Sequence, residues 1–376
     1  MENLTKIPIT YIRGGTSKGA FILEENLPKS QQERDLAILT LYGSPDKRQI
    51  DGIGGADPLT SKVAIIKKSN SKGIDVDYTF GQVAINRPYV DYKSNCGNMS
   101  AGVGLFAIQK GLVKTDEPYT KIKIYNTNTK KTIESTIPVK NGKVHYLSEK
   151  PPMGVPSTGA VLTLGFHNPA GSKTGKLLPT GNPTDELILP DGKSIEVSYV
   201  DVTTPSVFVN ASSIGLSGIE TPDELESNKN ALELLEYIRS KGAERIGLVD
   251  DYRDATIDSP SVPKVIYVSE PITLDDDPFR LNKNEYQLIG RAMSMQTMHK
   301  AFAVTGGICT ASAAVIEGTV VNKVTRNSND GKITIAHPSG IMNFEIKKEV
   351  IDGETIISEA KVQRTAKIIL DGTAYV

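Results

Sequence analysis

Two single residues and one glycine-rich turn carry the residue types that could move a proton on a carbon acid. Lys62 opens the apolar run Lys62-Val63-Ala64-Ile65-Ile66, just after Gly54-Gly55-Ala56-Asp57-Pro58-Leu59-Thr60-Ser61. A lysine in such a run is unusual, because buried lysines are rare. Burial disfavours the ammonium charge, so a lysine drawn out of water becomes a usable general base. The plainer reading is an exposed lysine at a strand edge. Cys96 lies in Asn95-Cys96-Gly97-Asn98, directly before a run that reads as an apolar helix. A thiol at a helix N-terminus feels the dipole and the free N–H groups, which favour its thiolate. The same N–H groups can hold a substrate carboxylate. A packed structural cysteine is the plainer reading, yet the flanking Asn and Gly make a turn rather than an interior.

The turn is Arg13-Gly14-Gly15-Thr16-Ser17-Lys18-Gly19. Its glycines let backbone N–H groups approach a ligand, and its hydroxyls and cations supply donors for an anion. Walker spacing is absent, and a hairpin turn explains the composition equally well. His337-Pro338-Ser339-Gly340 could place donors near a ligand or simply end a strand. Gly171-Ser172-Lys173-Thr174-Gly175-Lys176 has the wrong spacing for a phosphate loop. His145, His167, His299 and His337 are scattered, and neither cysteine lies in a C-x-x-C, so no metal and no cofactor are expected.

These residues need a scaffold, and the chain is long enough for two domains: 376 residues, 38% hydrophobic and 23% charged. Its net charge of -1, with no long basic run, argues against a nucleic-acid partner. The N-terminus lacks signal-peptide form and no apolar run is long enough to span a membrane, so a cytoplasmic protein without a membrane partner is expected. Strand signals fall at Lys6–Tyr11, Val63–Lys67, Asp75–Phe80, Lys121–Tyr125, Ile195–Val200, Ser206–Asn210, Lys264–Val268 and Lys332–Ala336. Amphipathic helices are read at Ser30–Tyr42 and Thr221–Lys241, the second opened by a capping-box arrangement. Asn98–Leu112 and Ile308–Val321 read as helices apolar on every side, hence buried. Each follows a glycine-containing turn, the second being Thr305-Gly306-Gly307, and each is preceded by a comparable strand. An approximate internal repeat follows, with an α+β chain of two halves, 1–185 and 186–361, and a last strand, 362–376, returning to the first.

With these segments assembled, the chain resembles the PrpF family, which includes 2-methylaconitate cis-trans isomerase, methylitaconate Δ-isomerase and 4-oxalomesaconate tautomerase. The matching residues are Arg13–Gly19, Gly54–Ala64, Asn95–Asn98, Thr174–Asn182, Met298–Ala303 and His337–Gly340, which span nearly the whole chain. The resemblance implies a diaminopimelate-epimerase-like fold: two pseudo-symmetric domains, each a curved sheet around a central apolar helix, with the active site in the cleft between them. It implies catalytic roles for Lys62 and Cys96 and a substrate contact at Ser17. The expected substrate-binding set is Arg13, Gly15, Thr16, Ser17, Gly97, Asn98, His299, Thr305, Gly306, Gly307, Ser339 and Gly340. Amino-acid epimerases of this fold carry a second catalytic cysteine before the second buried helix. Superposing the two turns puts Thr305 there, with Cys309 one helical turn further on and read as packing. The reading is a cofactor-independent double-bond shift in a small unsaturated di- or tricarboxylic acid, in a chain able to form a homodimer. The alternatives are an amino- or hydroxy-acid epimerase or racemase and, in another class, an accessory protein of an iron–sulfur dehydratase.

Overall fold

Alternating apolar residues over Lys6–Gly14 form strand β1, which turns at Gly15 and Thr16 into β2 (Ser17–Leu23). The computed structural model describes residues 4–92, 96–146, 159–274, 279–294, 296–326 and 330–376. Asn95, expected in the turn before Cys96, lies outside the described residues. Helix α1 (Gln31–Tyr42) starts where the Ser30 side chain accepts the Glu33 N–H, and it stops at Gly43, whose φ of 69° is left-handed. Strands β3 (Lys62–Lys68), β4 (Val76–Val83) and β5 (Val90–Asp91) follow, then helix α2 (Gly97–Gln109). Strands β6 (Tyr119–Asn126), β7 (Lys131–Lys140), β8 (Lys143–Val144) and β9 (Ala160–His167) complete this stretch.

The pairing explains why α2 can be apolar all round. Along the sheet, β1–β2 is antiparallel, β2–β3 parallel, β3–β4 antiparallel, β4–β6 parallel, and β6–β7 and β7–β9 antiparallel. Helix α2 touches β1, β2, β3, β4, β6 and β7 of this one sheet, so the sheet must curve around it. Every residue from Gly97 to Ala107 is buried. The fit depends on small residues. A Cβ on Gly102 would lie 2.4 Å from the Phe21 ring, and one on Gly104 would lie 2.3 Å from Ile137. The other face of the sheet packs on α1 through Ile7, Ala20, Ile22, Ile38, Tyr42, Val63 and Ile65.

A second set of elements repeats this order. After β10 (Asp185–Ile188) come β11 (Ser194–Val202), β12 (Thr204–Asn210), α3 (Pro222–Ser227), α4 (Lys229–Arg245) and α5 (Ala255–Asp258). Then follow β13 (Lys264–Ser269), β14 (Leu288–Ser294), β15 (Thr297–Met298), α6 (Val304–Ala314) and α7 (Val320–Val324). Strands β16 (Lys332–His337), β17 (Gly340–Ile351) and β18 (Glu354–Tyr375) end the chain. Here β11–β12 is antiparallel, β12–β13 parallel, β13–β14 antiparallel, β14–β16 parallel, and β16–β17 and β17–β18 antiparallel. The sense of each pairing matches the first set, step for step. Helix α6 is buried along its whole length and touches β11, β12, β16 and β17.

Packing divides the chain into one unit of Met1–His167 with Gln363–Val376, and another of Asn168–Val362. The expected boundary at 185/186 moves back to His167/Asn168 because of Asp201. The Asp201 carboxylate accepts from the Ser172 hydroxyl, the Lys173 and Thr174 N–H groups and the Thr174 hydroxyl, while Gly171 N–H bonds the Asp201 carbonyl. The Gly171–Lys176 loop is thus an anion-binding loop filled by the chain's own carboxylate. The last strand changes unit within itself. Phe344 to Ile351 pair with Val362 to Glu354, and Lys6 to Gly14 pair with Tyr375 to Ala366.

Two helix expectations are corrected. Thr221–Lys241 is two helices, because Asn228 leaves the helical region and its side chain caps Ala231 N–H. The capping box at Thr221 and Glu224 is present. Ile308–Val321 is also two, broken at Gly318 (φ 83°) and restarted by Thr319, which caps Asn322 N–H. Helix α6 begins at Val304, so Thr305-Gly306-Gly307 is its first turn rather than a turn before it. No helix among the described residues is long and apolar enough to cross a membrane.

Candidate active site

In the first unit, sheet register sets several of the sequence candidates on one face of the curved sheet. Gly19 pairs with Lys62 on β3, and Lys62 pairs with Gln82 on β4, so these side chains share one face of the sheet. Ser17, two residues from Gly19, lies on that face too. The Ser17 hydroxyl is buried and has no hydrogen-bond partner among the described residues. Lys62 is only 7% exposed. Its Nζ donates to Gln82 Oε1 at 2.6 Å and lies 5.3 Å from the centre of the Phe80 ring. The Lys62 carbonyl accepts from the Tyr42 hydroxyl, which in turn accepts from Ala20 N–H at 2.9 Å. Tyr42 therefore pins the main chain of β2 and β3 at the lysine.

The glycine-rich segment is a hairpin whose turn rests on α2. Asn98 Nδ2 donates to Thr16 Oγ1 at 2.9 Å, and a Cβ on Gly14 would stand 2.1 Å from the Asn98 carbonyl oxygen. Gly15 has φ 51°, which suits glycine, and faces the Asn98 side chain. Arg13 is buried, and its Nε and Nη2 have no hydrogen-bond partner among the described residues. Its Nη1 donates to Gly15 O, Thr365 O and Thr365 Oγ1, and burial pushes its pKa down.

Cys96 is the N-cap of α2, partly exposed, with extended backbone and no capping bond from its side chain. Gly97, Asn98 and Met99 form the first turn of α2, where N–H groups have no partner carbonyl within the helix itself. Tyr78, on the same face of β4 as Gln82, lies near Cys96 and Ser100. Burial first, and then the neighbouring Cys96, pushes the Tyr78 phenol well above its usual pKa.

The second unit gathers its own candidates around α6. The uncapped N-terminus follows Ala303, and Thr305 is nearly buried, its carbonyl accepting from Thr203 Oγ1 at 2.8 Å. Gly307 N–H already donates to Ala303 O, so Gly307 offers no free donor; a Cβ there would meet the Phe344 ring at 2.4 Å. His299 Nδ1 accepts from Ala301 N–H, and His337 Nδ1 accepts from Ser339 N–H. The Ser339 hydroxyl donates to Lys300 O, which joins the His337–Gly340 turn to the Met298–Ala303 segment. Gly340 opens β17 directly after this turn, so the hairpin reading accounts for Ser339 and Gly340 here.

Helix starts correct the superposition drawn from sequence. Cys96 is the N-cap of α2 and Ala303 the N-cap of α6, so the place equivalent to Cys96 belongs to Ala303, not Thr305. No thiol stands there either. Cys309 is fully buried with Sγ directed at Val200 O, and burial pushes its thiol from about 9 up to about 12. Above pH 9 the unfolded chain loses this proton while the folded chain keeps it, so this group's contribution to stability falls as pH rises toward 12. Iodoacetamide at about pH 8 is expected to alkylate Cys96 and spare Cys309 until the protein unfolds. Peptide mass spectrometry reads the result, and ready labelling of Cys309 in the folded chain would contradict its burial.

Gln82, Tyr42 and Tyr78 were missed from sequence. Gln82 is one of three half-buried polar residues in the strand Val76–Val83, with Asp77 and Thr79, and its partner is set by register. Among the described residues, no group of three or more His, Cys, Asp or Glu could hold a metal ion.

Residues 4–376 match the family described as PrpF protein. The chain belongs to the PrpF family. This family member is 43% identical to a 3-methylitaconate isomerase of Eubacterium barkeri, over 100% of this chain and 98% of that one. It is 36% identical to a 2-methyl-aconitate isomerase of Cupriavidus necator, over 98% and 96%. Among solved structures, a methylitaconate-delta-isomerase superposes with a TM-score of 0.87 at 42% identity, covering 100% of this chain and 96% of that one. A hydroxyproline epimerase from Agrobacterium vitis shares the fold at a TM-score of 0.56 and 10% identity, covering 99% and 93%. The PrpF-family protein is an isomerase with an α+β, epimerase-like fold.

Proposed function

We propose that this isomerase shifts the double bond of a small unsaturated di- or tricarboxylic acid of the methylitaconate or methylaconitate type, using Lys62 and Cys96 to move the proton. The observation that carries the reading is Lys62 itself. It is a buried amine whose hydrogen-bond acceptor among the described residues is a neutral amide rather than a carboxylate. It shares a sheet face with Ser17, a buried hydroxyl without a hydrogen-bond partner among the described residues.

The chemistry is a 1,3-proton transfer. A C–H next to both a double bond and a carboxylate is acidic because its loss gives a delocalised dienolate. Lys62, as the free amine, takes that proton and becomes the ammonium. A proton then returns to the carbon at the far end of the three-carbon unit, with Cys96 as donor, and the double bond moves by one position. Proton exchange with solvent restores both groups, so no atom is gained or lost. The N–H groups at Gly97 and Asn98, with the Thr16 and Ser17 hydroxyls, suit a substrate carboxylate and the charge that develops on it.

The test is a proton-exchange screen in D₂O, followed by proton NMR, with methylitaconate, 2-methylaconitate, oxalomesaconate and aconitate. One of these acids is expected to take up deuterium at the carbons flanking the moved double bond. Exchange confined to the α-proton of a chiral amino or hydroxy acid would replace this reading with epimerisation.

A further inference from the structure

Strand β4 sets a glutamine opposite the buried lysine, and main-chain carbonyls fix that glutamine's orientation. Gln82 Nε2 donates to Ser61 O at 2.8 Å and to Pro58 O at 3.1 Å, which leaves Oε1 facing Lys62 Nζ at 2.6 Å. A flipped amide would turn its oxygen onto two carbonyl oxygens and its NH₂ onto the lysine's own N–H donors, so this network permits one orientation. The segment that supplies the carbonyls is itself held. Gln49 Oε1 accepts from the Ala56 N–H and the Ser61 hydroxyl, each at 2.8 Å.

We propose that Gln82 is the positioning residue of Lys62, a neutral acceptor that holds the amine in one place in both its protonation states. This rests on the reading of Lys62 as the proton carrier. An amide oxygen accepts from an ammonium and from an amine alike, whereas a carboxylate there would favour the charged form and disarm the base. The Phe80 ring, two residues back on the same face of β4, has its centre 5.3 Å from the Nζ. Other titratable groups belong to the elements around it. Tyr78 lies on that face of β4, Asp91 of β5 is the register partner of Gln82, Cys96 caps α2, and Tyr42 of α1 reaches the Lys62 carbonyl. The design makes the 58–61 segment part of the base: it holds Gln82, and Gln82 holds the lysine.

The experiment compares Gln82→Glu, Gln82→Met and Lys62→Ala with the wild-type chain, using methylitaconate turnover and pH-dependent acetylation of Lys62 read by mass spectrometry. Gln82→Glu is expected to move both the acetylation midpoint of Lys62 and the rising limb of the pH–rate profile up by about one pH unit or more. Gln82→Met removes the acceptor without adding charge, and kcat is expected to fall about 100-fold with KM little changed, as for a misplaced catalytic group. An acetylation midpoint unmoved in Gln82→Glu overturns the proposal even if a variant loses activity through its fold. So does a KM rise at constant kcat in Gln82→Met, which would make Gln82 a substrate contact. If Lys62→Ala turns over normally, the proton-carrier reading fails and the positioning role with it. If Lys62→Ala is inactive while both Gln82 variants behave as wild type, the positioning role alone fails.

Discussion

Lys62→Ala is expected to lower turnover about a thousandfold or more while the folded chain persists, because a positioned base contributes about 10²–10⁴-fold to a proton transfer. The fold should survive because the lysine's structural links are made by its main chain. Its backbone pairs with Gly19 and Gln82, and its carbonyl receives the Tyr42 hydroxyl. Among the described residues the side chain makes one hydrogen bond, to Gln82, and its Nζ lies over the Phe80 ring. Losing these costs about 1–2 kcal/mol, partly offset because a buried amine no longer has to be desolvated. Steady-state kinetics beside a thermal melt separates the two effects. Turnover within tenfold of wild type would remove Lys62 from the chemistry, and a lost melting transition would mean that the side chain has a structural role its contacts do not suggest.

Gly19→Ala is expected to destabilise the first unit by about 2–3 kcal/mol and to cut activity with it. A Cβ at Gly19 would lie 1.8 Å from the Lys62 carbonyl oxygen and 3.1 Å from the Tyr42 hydroxyl oxygen. The nearer atom is backbone and cannot rotate away, so β2 and β3 must separate at the very pair that sets Lys62. The variant therefore strains the scaffold and displaces Lys62 in one change, and kcat should fall even at temperatures where the chain stays folded. Urea denaturation gives the stability term. A midpoint equal to that of the wild type would mean that the sheet yields there at no cost.

Local pattern made much of this legible in the sequence. Two helices without charge had to be buried, and α2 and α6 are. The β-branched runs at Val63–Lys67 and Lys264–Val268 are strands, each lying between a parallel and an antiparallel neighbour. Strands with weaker composition, such as β2, which begins Ser-Lys-Gly, and the long polar β17, escaped notice because pairing rather than propensity makes them strands, and β18, expected over 362–376, begins earlier, at Glu354. The break at Asn228 was legible only in part: its capping side chain is a known helix-start signal, but the flanking periodicity runs straight through it.

Lys62, Cys96 and the two apolar helices are legible from residue type and immediate neighbours, so the sequence alone carried the family resemblance and nominated these two residues. The surroundings of those residues are another matter. Gln82 meets Lys62 across two strands, Tyr42 reaches the same lysine from a helix, and Arg13 Nη1 donates to Thr365 at the far end of the chain. Cys309 was readable as a thiol, but only the sheet packed around α6 seals it and raises its pKa. Each of these contacts joins residues far apart in the chain, and a single residue of register would turn the strand side chains to the opposite face. Local sequence chooses which groups are present; the pairing of distant strands decides which of them face one another.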